Sequence, residues 1–145
     1  MSSEKGIASM DFFNAIQVAS TGLKAQGGRM RVISENIANA SSTAKVAGGD
    51  PYRRRIPTFK AQYDREIAAH GVQIGRINND KSDFTLRLEP GHPAANEEGY
   101  VKYPNVNPLI EAMDMREAQR SYEANMNIIS SSRQMLARTI DIMSA

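Results

Sequence analysis

The sequence predicts a mainly α fold in which long N- and C-terminal helices form a coiled-coil-like helical domain, with a small β-hairpin or irregular insertion between them. Near both ends of the 145-residue chain, apolar residues recur about every 3.5 positions, as in helices that pack along a narrow seam. In the middle, alternating apolar and polar residues and clusters of Gly and Pro indicate short strands and loops.

The first predicted helix runs from about residue 11 to residue 40. Ser9 or Asp11 is a candidate N-cap, because a side-chain oxygen there can accept a bond from a free backbone N–H. Gly27 and Gly28 interrupt the helix and predict a soft spot, a bend or a close contact with another backbone. Only Gln26 is polar in the row of seam positions, which are Phe12, Ile16, Ala19, Leu23, Gln26, Met30, Ile33, Ile37 and Ala40.

The second predicted helix runs from Pro108, which suits a first helical turn, to the end of the chain. Its seam positions are Ala112, Met115, Gln119, Tyr122, Met126, Ile129, Arg133, Leu136, Ile140 and Met143. A helix that is apolar on more than one side needs more than one partner helix. The residues that widen the stripe in this way are Leu109, Met113, Ile128, Met135 and Ile142.

The middle of the chain, residues 41–107, predicts a small β-containing outer region. Alternation over 72–77 and 84–88 suggests two strands joined as a hairpin. The stretch from Phe59 to Ile67 fits a strand or a helix face equally well. Residues 90–107 are rich in Pro and Gly and predict an extended segment. Residues 10–40 and 108–145 would then form the inner, axial domain.

Chemistry-bearing motifs are missing from the sequence. Without Cys, disulfides, thiolate zinc sites and Cys nucleophiles are excluded. His70 and His92 are not at metal-ligand spacing, and no phosphate-binding glycine loop or serine elbow occurs. We therefore expect no enzymatic activity, no cofactor and no metal. A net charge of +2 is too small to imply a nucleic-acid partner.

Neither a membrane span nor a cleaved signal peptide is expected, because there is no run of 18 apolar residues and the N-terminus is short and polar. The basic excess lies around Arg53, Arg54 and Arg55. These side chains could contact nucleic-acid phosphates or an acidic membrane, could meet an acidic neighbouring subunit, or could be plain surface charge.

Several segments resemble the bacterial flagellar rod, hook and related axial proteins. Residues 36–43, NIANASST, resemble the signature at the end of the first helix in that family. Residues 51–55 (PYRRR), 91–95 (GHPAA), 99–108 (GYVKYPNVNP) and 120–125 (RSYEAN) resemble its proximal-rod branch. Residues 10–13 resemble the usual start of the family, so residues 1–9 would be an extension, expected to be mobile. The signature positions are Asn36, Ala38, Asn39, Tyr100, Pro104, Asn105, Asn107 and Pro108.

The resemblance implies a structural subunit of the flagellar basal-body rod, in the periplasm and exported by the flagellar type III apparatus. Its partners would be the other proximal and distal rod proteins and the adaptor between the rod and the MS ring. Burial of the apolar stripes against neighbours would drive assembly. The alternative is a helical-hairpin adaptor or secretion chaperone. The expected subunit-interface residues are Phe12, Ile16, Leu23, Met30, Ile33, Ile37, Met115, Tyr122, Met126, Ile129, Leu136, Ile140 and Met143.

Overall fold

The computed structural model describes residues 2–145, with side chains described from residue 10 onwards. Its elements, in chain order, are α1 (Ser2–Ala38), β1 (Arg55–Asp64), β2 (Ala69–Asn79), β3 (Thr85–Leu88), β4 (Tyr100–Tyr103) and α2 (Pro108–Ser144). The prediction of two long terminal helices with a small β region between them is confirmed. The coiled-coil geometry stays a prediction.

Helix α1 begins earlier than predicted. It starts at Ser2 rather than near residue 11, so Asp11 lies inside the helix and does not cap it. The intervening residues contain no Pro, and extending an existing helix costs little because each added residue gains a hydrogen bond. Met1 and the side chains of residues 2–9 lie outside the part of the chain that the structure describes. The predicted mobility of residues 1–9 therefore stays a prediction.

The other helix ends follow from capping chemistry. At the end of α1 the Asn39 side chain donates to the carbonyl of Glu35 at 2.8 Å and accepts from the Ser42 hydroxyl at 3.1 Å. At the start of α2 the backbone N–H of Leu109 donates to the side-chain oxygen of Asn107 at 3.0 Å. Asn107 is therefore the N-cap. Pro108 is the first helical residue, and its place in the first turn confirms the prediction.

The strands pair differently from the prediction. Strand β2 pairs with β1, and β3 pairs with β4 in a separate antiparallel sheet, with Thr85 opposite Tyr103 and Leu88 opposite Tyr100. The predicted hairpin between residues 72–77 and 84–88 is therefore wrong. Strand β1 contains Pro57, which is tolerated because each strand of a two-stranded sheet is an edge. Segment 90–107, predicted to be extended and irregular, contains β4.

The chain divides into two compact units. The first comprises α1 up to Gly28, Phe59–Gly75 and Ala118–Ala145, and the second comprises Arg29–Thr58 and Arg76–Glu117. Each unit therefore contains part of α1 and part of α2. The predicted division into inner and outer domains stays a prediction.

In the first unit, α1 lies close both to α2 and to the β1–β2 hairpin. Gly22 is buried against Asn125. Gly28 lies so close to Ile74 that an added Cβ would overlap that side chain, whereas Gly27 has open space around it. The close contact at Gly28 is therefore with a side chain and not with another backbone as predicted, and α1 continues through both glycines.

The core of the second unit is small. Its buried apolar side chains are Val32, Ile33, Ala94 and Val101. The helices run antiparallel here, because Arg29 lies beside Glu117 whereas Asn36, later in α1, lies beside Glu111, earlier in α2. In the described part of the chain, neither helix is long and apolar enough to cross a bilayer.

Candidate functional site

The predicted interface residues divide into two groups by exposure. One group is buried or half-buried inside the unit to which it belongs, because the two helices already pair within this chain. Its members are Phe12, Ile16, Leu23, Met30, Ile33, Met115, Tyr122, Ile129 and Leu136. The other group is exposed and consists of Ile37, Met126, Ile140 and Met143.

A further row of apolar side chains lies on another side of α2. Ile128, Met135 and Ile142 recur every seven residues and are 47%, 50% and 77% exposed. Leu109 and Met113, near the start of the same helix, are exposed as well. We call the row Ile128, Met135 and Ile142 the outer stripe. Together with Leu109 and Met113, these are the residues that widened the predicted seam, and all five are exposed.

Polar side chains are concentrated in the second unit around Asn36. This residue is 1% exposed, and its side chain makes four hydrogen bonds. It accepts from the Tyr52 hydroxyl at 2.8 Å and from the Arg55 backbone N–H at 3.0 Å. It donates to the Arg55 carbonyl at 2.9 Å and to Glu111 Oε2 at 3.1 Å. One signature side chain thus ties α1 to the start of β1 and to α2.

Glu111 is the second buried member of this group, also 1% exposed. Arg54 donates from its Nε to the other Glu111 carboxylate oxygen. We call Asn36, Tyr52, Arg54 and Glu111 the polar cluster. Burial of a polar group is tolerated when its hydrogen bonds are made, and the Asn36 amide and the Glu111 carboxylate meet that condition.

The pKa values of two members of the polar cluster, and of Asp80 beside it, are shifted by their surroundings. Burial lowers the pKa of Arg54, but the hydrogen bond and the charge of Glu111 outweigh burial, and the pKa of Arg54 is raised overall. Burial is the main reason that the pKa of Tyr52 is raised, so its hydroxyl keeps its proton and donates to Asn36. The pKa of Asp80 is lowered chiefly by the Ser82 backbone N–H, which donates to its carboxylate at 2.9 Å.

Each of the three consecutive arginines has partners within this chain. Arg54 also contacts Asp80 and Asp114, each at 3.5 Å. Arg55 pairs with Glu35 at 2.7 Å. Arg53 lies over the Phe84 ring, 4.2 Å from its centre, and donates to the carbonyls of Asp80 and Ser82. Arg54 and Arg55 thus have acidic partners within this chain, and a contact between the triplet and an acidic neighbouring subunit stays a prediction.

The remaining signature residues also have positions in the second unit. Asn105 accepts from the Arg54 backbone N–H at 2.8 Å and donates to the Asp80 carbonyl at 3.1 Å. Pro104 is buried beside Asn105, and Tyr100, at the start of β4, is exposed. Ala38 is the exposed last residue of α1. The signature therefore includes the residues that hold the ends of the helices.

The pairing of Arg54 with Glu111 was missed in the sequence. The two residues are 57 positions apart, and in the sequence Glu111 looks no different from the acidic residues that follow it in α2, Asp114 and Glu117. A partial signal existed, because a helix with apolar seam positions has only a few charged residues on its packed side. That signal indicates burial but does not identify the partner.

Comparison with known families gives the class of protein. Residues 16–44, which include the end of α1, match the family described as "Flagella basal body rod protein". Residues 97–142, which include β4 and most of α2, match "Flagellar basal body rod FlgEFG protein C-terminal". These are structural proteins of the bacterial flagellum, and the resemblance inferred from the sequence is confirmed.

Curated relatives narrow the class. The chain is 47% identical over 131 residues to flagellar basal-body rod protein FlgC of Agrobacterium fabrum, covering 90% of this chain and 94% of the relative. It is 37% identical to FlgC of Bacillus subtilis, with 92% and 99% covered, and 33% identical to FlgC of Escherichia coli O157:H7, with 92% and 98% covered. The chain therefore belongs to the FlgC family of flagellar basal-body rod proteins. It is a structural rod subunit that assembles with other basal-body components, and it is not an enzyme.

Proposed function

We propose that this chain is a subunit of the proximal rod and polymerises through its terminal helices, with coiled-coil-like packing against neighbouring subunits. Its neighbours are other proximal and distal rod proteins and the adaptor that joins the rod to the MS ring. The chain reaches the periplasm through the flagellar type III apparatus without a cleaved signal peptide. The resulting rod serves flagellum-dependent motility.

The observation that carries this proposal is the outer stripe of α2. Large apolar side chains at seven-residue spacing are suited to insertion between the side chains of another helix. Each side chain that passes from water to full burial contributes about 1.5–3 kcal/mol. Burial of three such residues on one helix would therefore favour binding of a neighbouring subunit to this surface.

The exposed members of the predicted seam extend the interface in the proposal. Met126, Ile140 and Met143 lie on α2, and Ile37 lies near the end of α1. Methionine is flexible and polarizable, so it tolerates non-identical partners, as a subunit between different rod proteins requires. The buried and half-buried seam residues contribute indirectly, because they hold α1 and α2 together.

A charge placed on the outer stripe tests the proposal. Met135→Glu changes an exposed residue, so the folding free energy of the monomer should change by no more than about 0.5 kcal/mol. In the rod, however, the carboxylate would be buried without a partner. We expect the variant to be secreted at the normal level, to be absent from purified basal bodies and to fail to restore swimming in a strain that lacks the chain.

The neighbouring exposed residue provides a matched control. Gln134→Glu introduces the same charge one position earlier, on another side of α2, and we expect this variant to swim normally. Normal swimming of Met135→Glu would contradict the proposed interface. Stable co-purification of the wild-type chain with a secreted client in the cytoplasm, without incorporation into basal bodies, would favour a chaperone instead.

A further inference from the structure

Glu111 is an unusual feature of a small unit whose core contains few apolar side chains. Its carboxylate is buried between α1 and the segment before β1, where it accepts from Asn36 at 3.1 Å and from Arg54. A buried carboxylate is stable only beside a partner that balances its charge. The position of Glu111 therefore depends on where those two donors lie.

Arg54 is itself fixed in place by the rest of the unit. Its backbone N–H donates to Asn105, and its guanidinium also contacts Asp80, which lies outside α2. Asn36 is fixed by its two hydrogen bonds to the backbone of Arg55. The donors therefore cannot follow Glu111 if α2 slides along α1.

The apolar seams do not prevent such sliding. In a pattern that repeats every seven residues, a shift of one helix by seven positions again places apolar side chains opposite apolar side chains. Such a shift moves α2 by about 10 Å along α1. Asn36 would then face a position such as Ala118, which has no side-chain hydrogen-bonding group, and Glu111 would lose its hydrogen bonds.

We propose that the polar cluster specifies the register of the α1–α2 pair, with Arg54 and Asn36 as positioning residues for Glu111. The apolar seams supply attraction between the helices, and the cluster selects one alignment among those that the seams permit. A buried polar group that fixes helix register is the best-attested role for such groups. This inference concerns the isolated chain and does not require that the proposed rod interface be correct.

Removal of the buried ion pair as a whole tests the proposal better than removal of one partner. A single change such as Arg54→Met leaves Glu111 buried with its charge uncompensated. The double variant Arg54→Met and Glu111→Leu leaves no buried charge and keeps the bonds of Asn36 to Tyr52 and Arg55, and apolar replacement of a buried ion pair is often neutral or stabilising. We therefore expect the double variant to fold, with wild-type helix content by circular dichroism.

Cross-linking between two introduced Cys residues reports the register, because the natural chain has no Cys and no other thiol can react. Arg29→Cys with Glu117→Cys reports the native alignment, since these side chains pair at 3.3 Å. Arg29→Cys with Ala124→Cys reports the shift of one heptad that brings Ala118 opposite Asn36. None of the three residues belongs to the polar cluster. Dilute protein and a short bis-maleimide reagent give cross-links within one chain.

In the wild-type background we expect the native pair alone to cross-link efficiently. In the double variant we expect the ratio of shifted to native cross-linking to rise about tenfold or more, because the alignments then differ little in energy. Native cross-linking alone in a folded double variant would overturn the proposal. Unfolding of the double variant would also overturn it, because the ion pair would then supply stability and not register.

Discussion

Two glycines in α1 provide the sharpest test of the packing in the first unit. Gly27 has open space around it, whereas a Cβ on Gly22 would lie 2.7 Å from the Asn125 side-chain nitrogen. Replacement of Gly by Ala within a helix contributes about 1 kcal/mol of stability. Gly27→Ala should therefore stabilise the chain by about that amount. In Gly22→Ala the same gain is opposed by overpacking, which costs about 1–3 kcal/mol.

The helix propensity term is the same in both variants, so their difference isolates the contact between α1 and α2. We expect Gly27→Ala to be more stable than Gly22→Ala by about 1–3 kcal/mol, measured by urea unfolding followed by circular dichroism. By thermal unfolding, Gly27→Ala should melt about 4 °C above wild type. Equal stability of the two variants would refute the close approach of α2 at Gly22. Destabilisation by Gly27→Ala would show that this position is not open.

Three further changes test other parts of the structure. Asn36→Ala removes four buried hydrogen bonds and should lower the free energy of unfolding by about 3–5 kcal/mol; a loss below about 1 kcal/mol would contradict the bonding described. Because the folded-state pKa of Asp80 is lowered, its contribution to stability is present above the unfolded value of about 3.9 and is lost as pH falls through the folded value. Urea midpoints should therefore fall less steeply in acid for Asp80→Asn than for wild type, and parallel profiles would argue against that coupling. Leu136→Asp places a charge on the half-buried seam, and we expect secretion without rod completion or swimming; wild-type swimming would remove Leu136 from the seam.

The helices could be predicted because their signals are local. The seam periodicity and Pro108 act over a few positions, and the observed start of α2 agrees with them. The start of α1 could not be placed in the same way. A helix extends until a Pro, a strong stop signal, tertiary contacts or solvent end it. The residues before Asp11 contain no Pro and no strong stop signal, so the sequence does not show where α1 begins.

Strand pairing could not be predicted because it depends on partners far apart in sequence. Strand β3 has an adequate local signal, but its partner β4 lies in a Pro- and Gly-rich segment and is only four residues long. The Arg54–Glu111 pair has the same difficulty, since each residue alone fits a solvated surface. The exposed outer stripe, in contrast, followed from the sequence, because a helix that is apolar on two sides cannot cover both against one partner.

The most direct test of assembly through α2 is the accessibility of position 135 before and after assembly. Met135→Cys introduces the chain's single thiol on a half-exposed site of the outer stripe. We expect maleimide to label it readily in the isolated chain, to label it poorly in intact basal bodies and to label it fully once those basal bodies are denatured. Equal labelling in the isolated chain and in intact basal bodies would contradict burial of the outer stripe by neighbouring subunits.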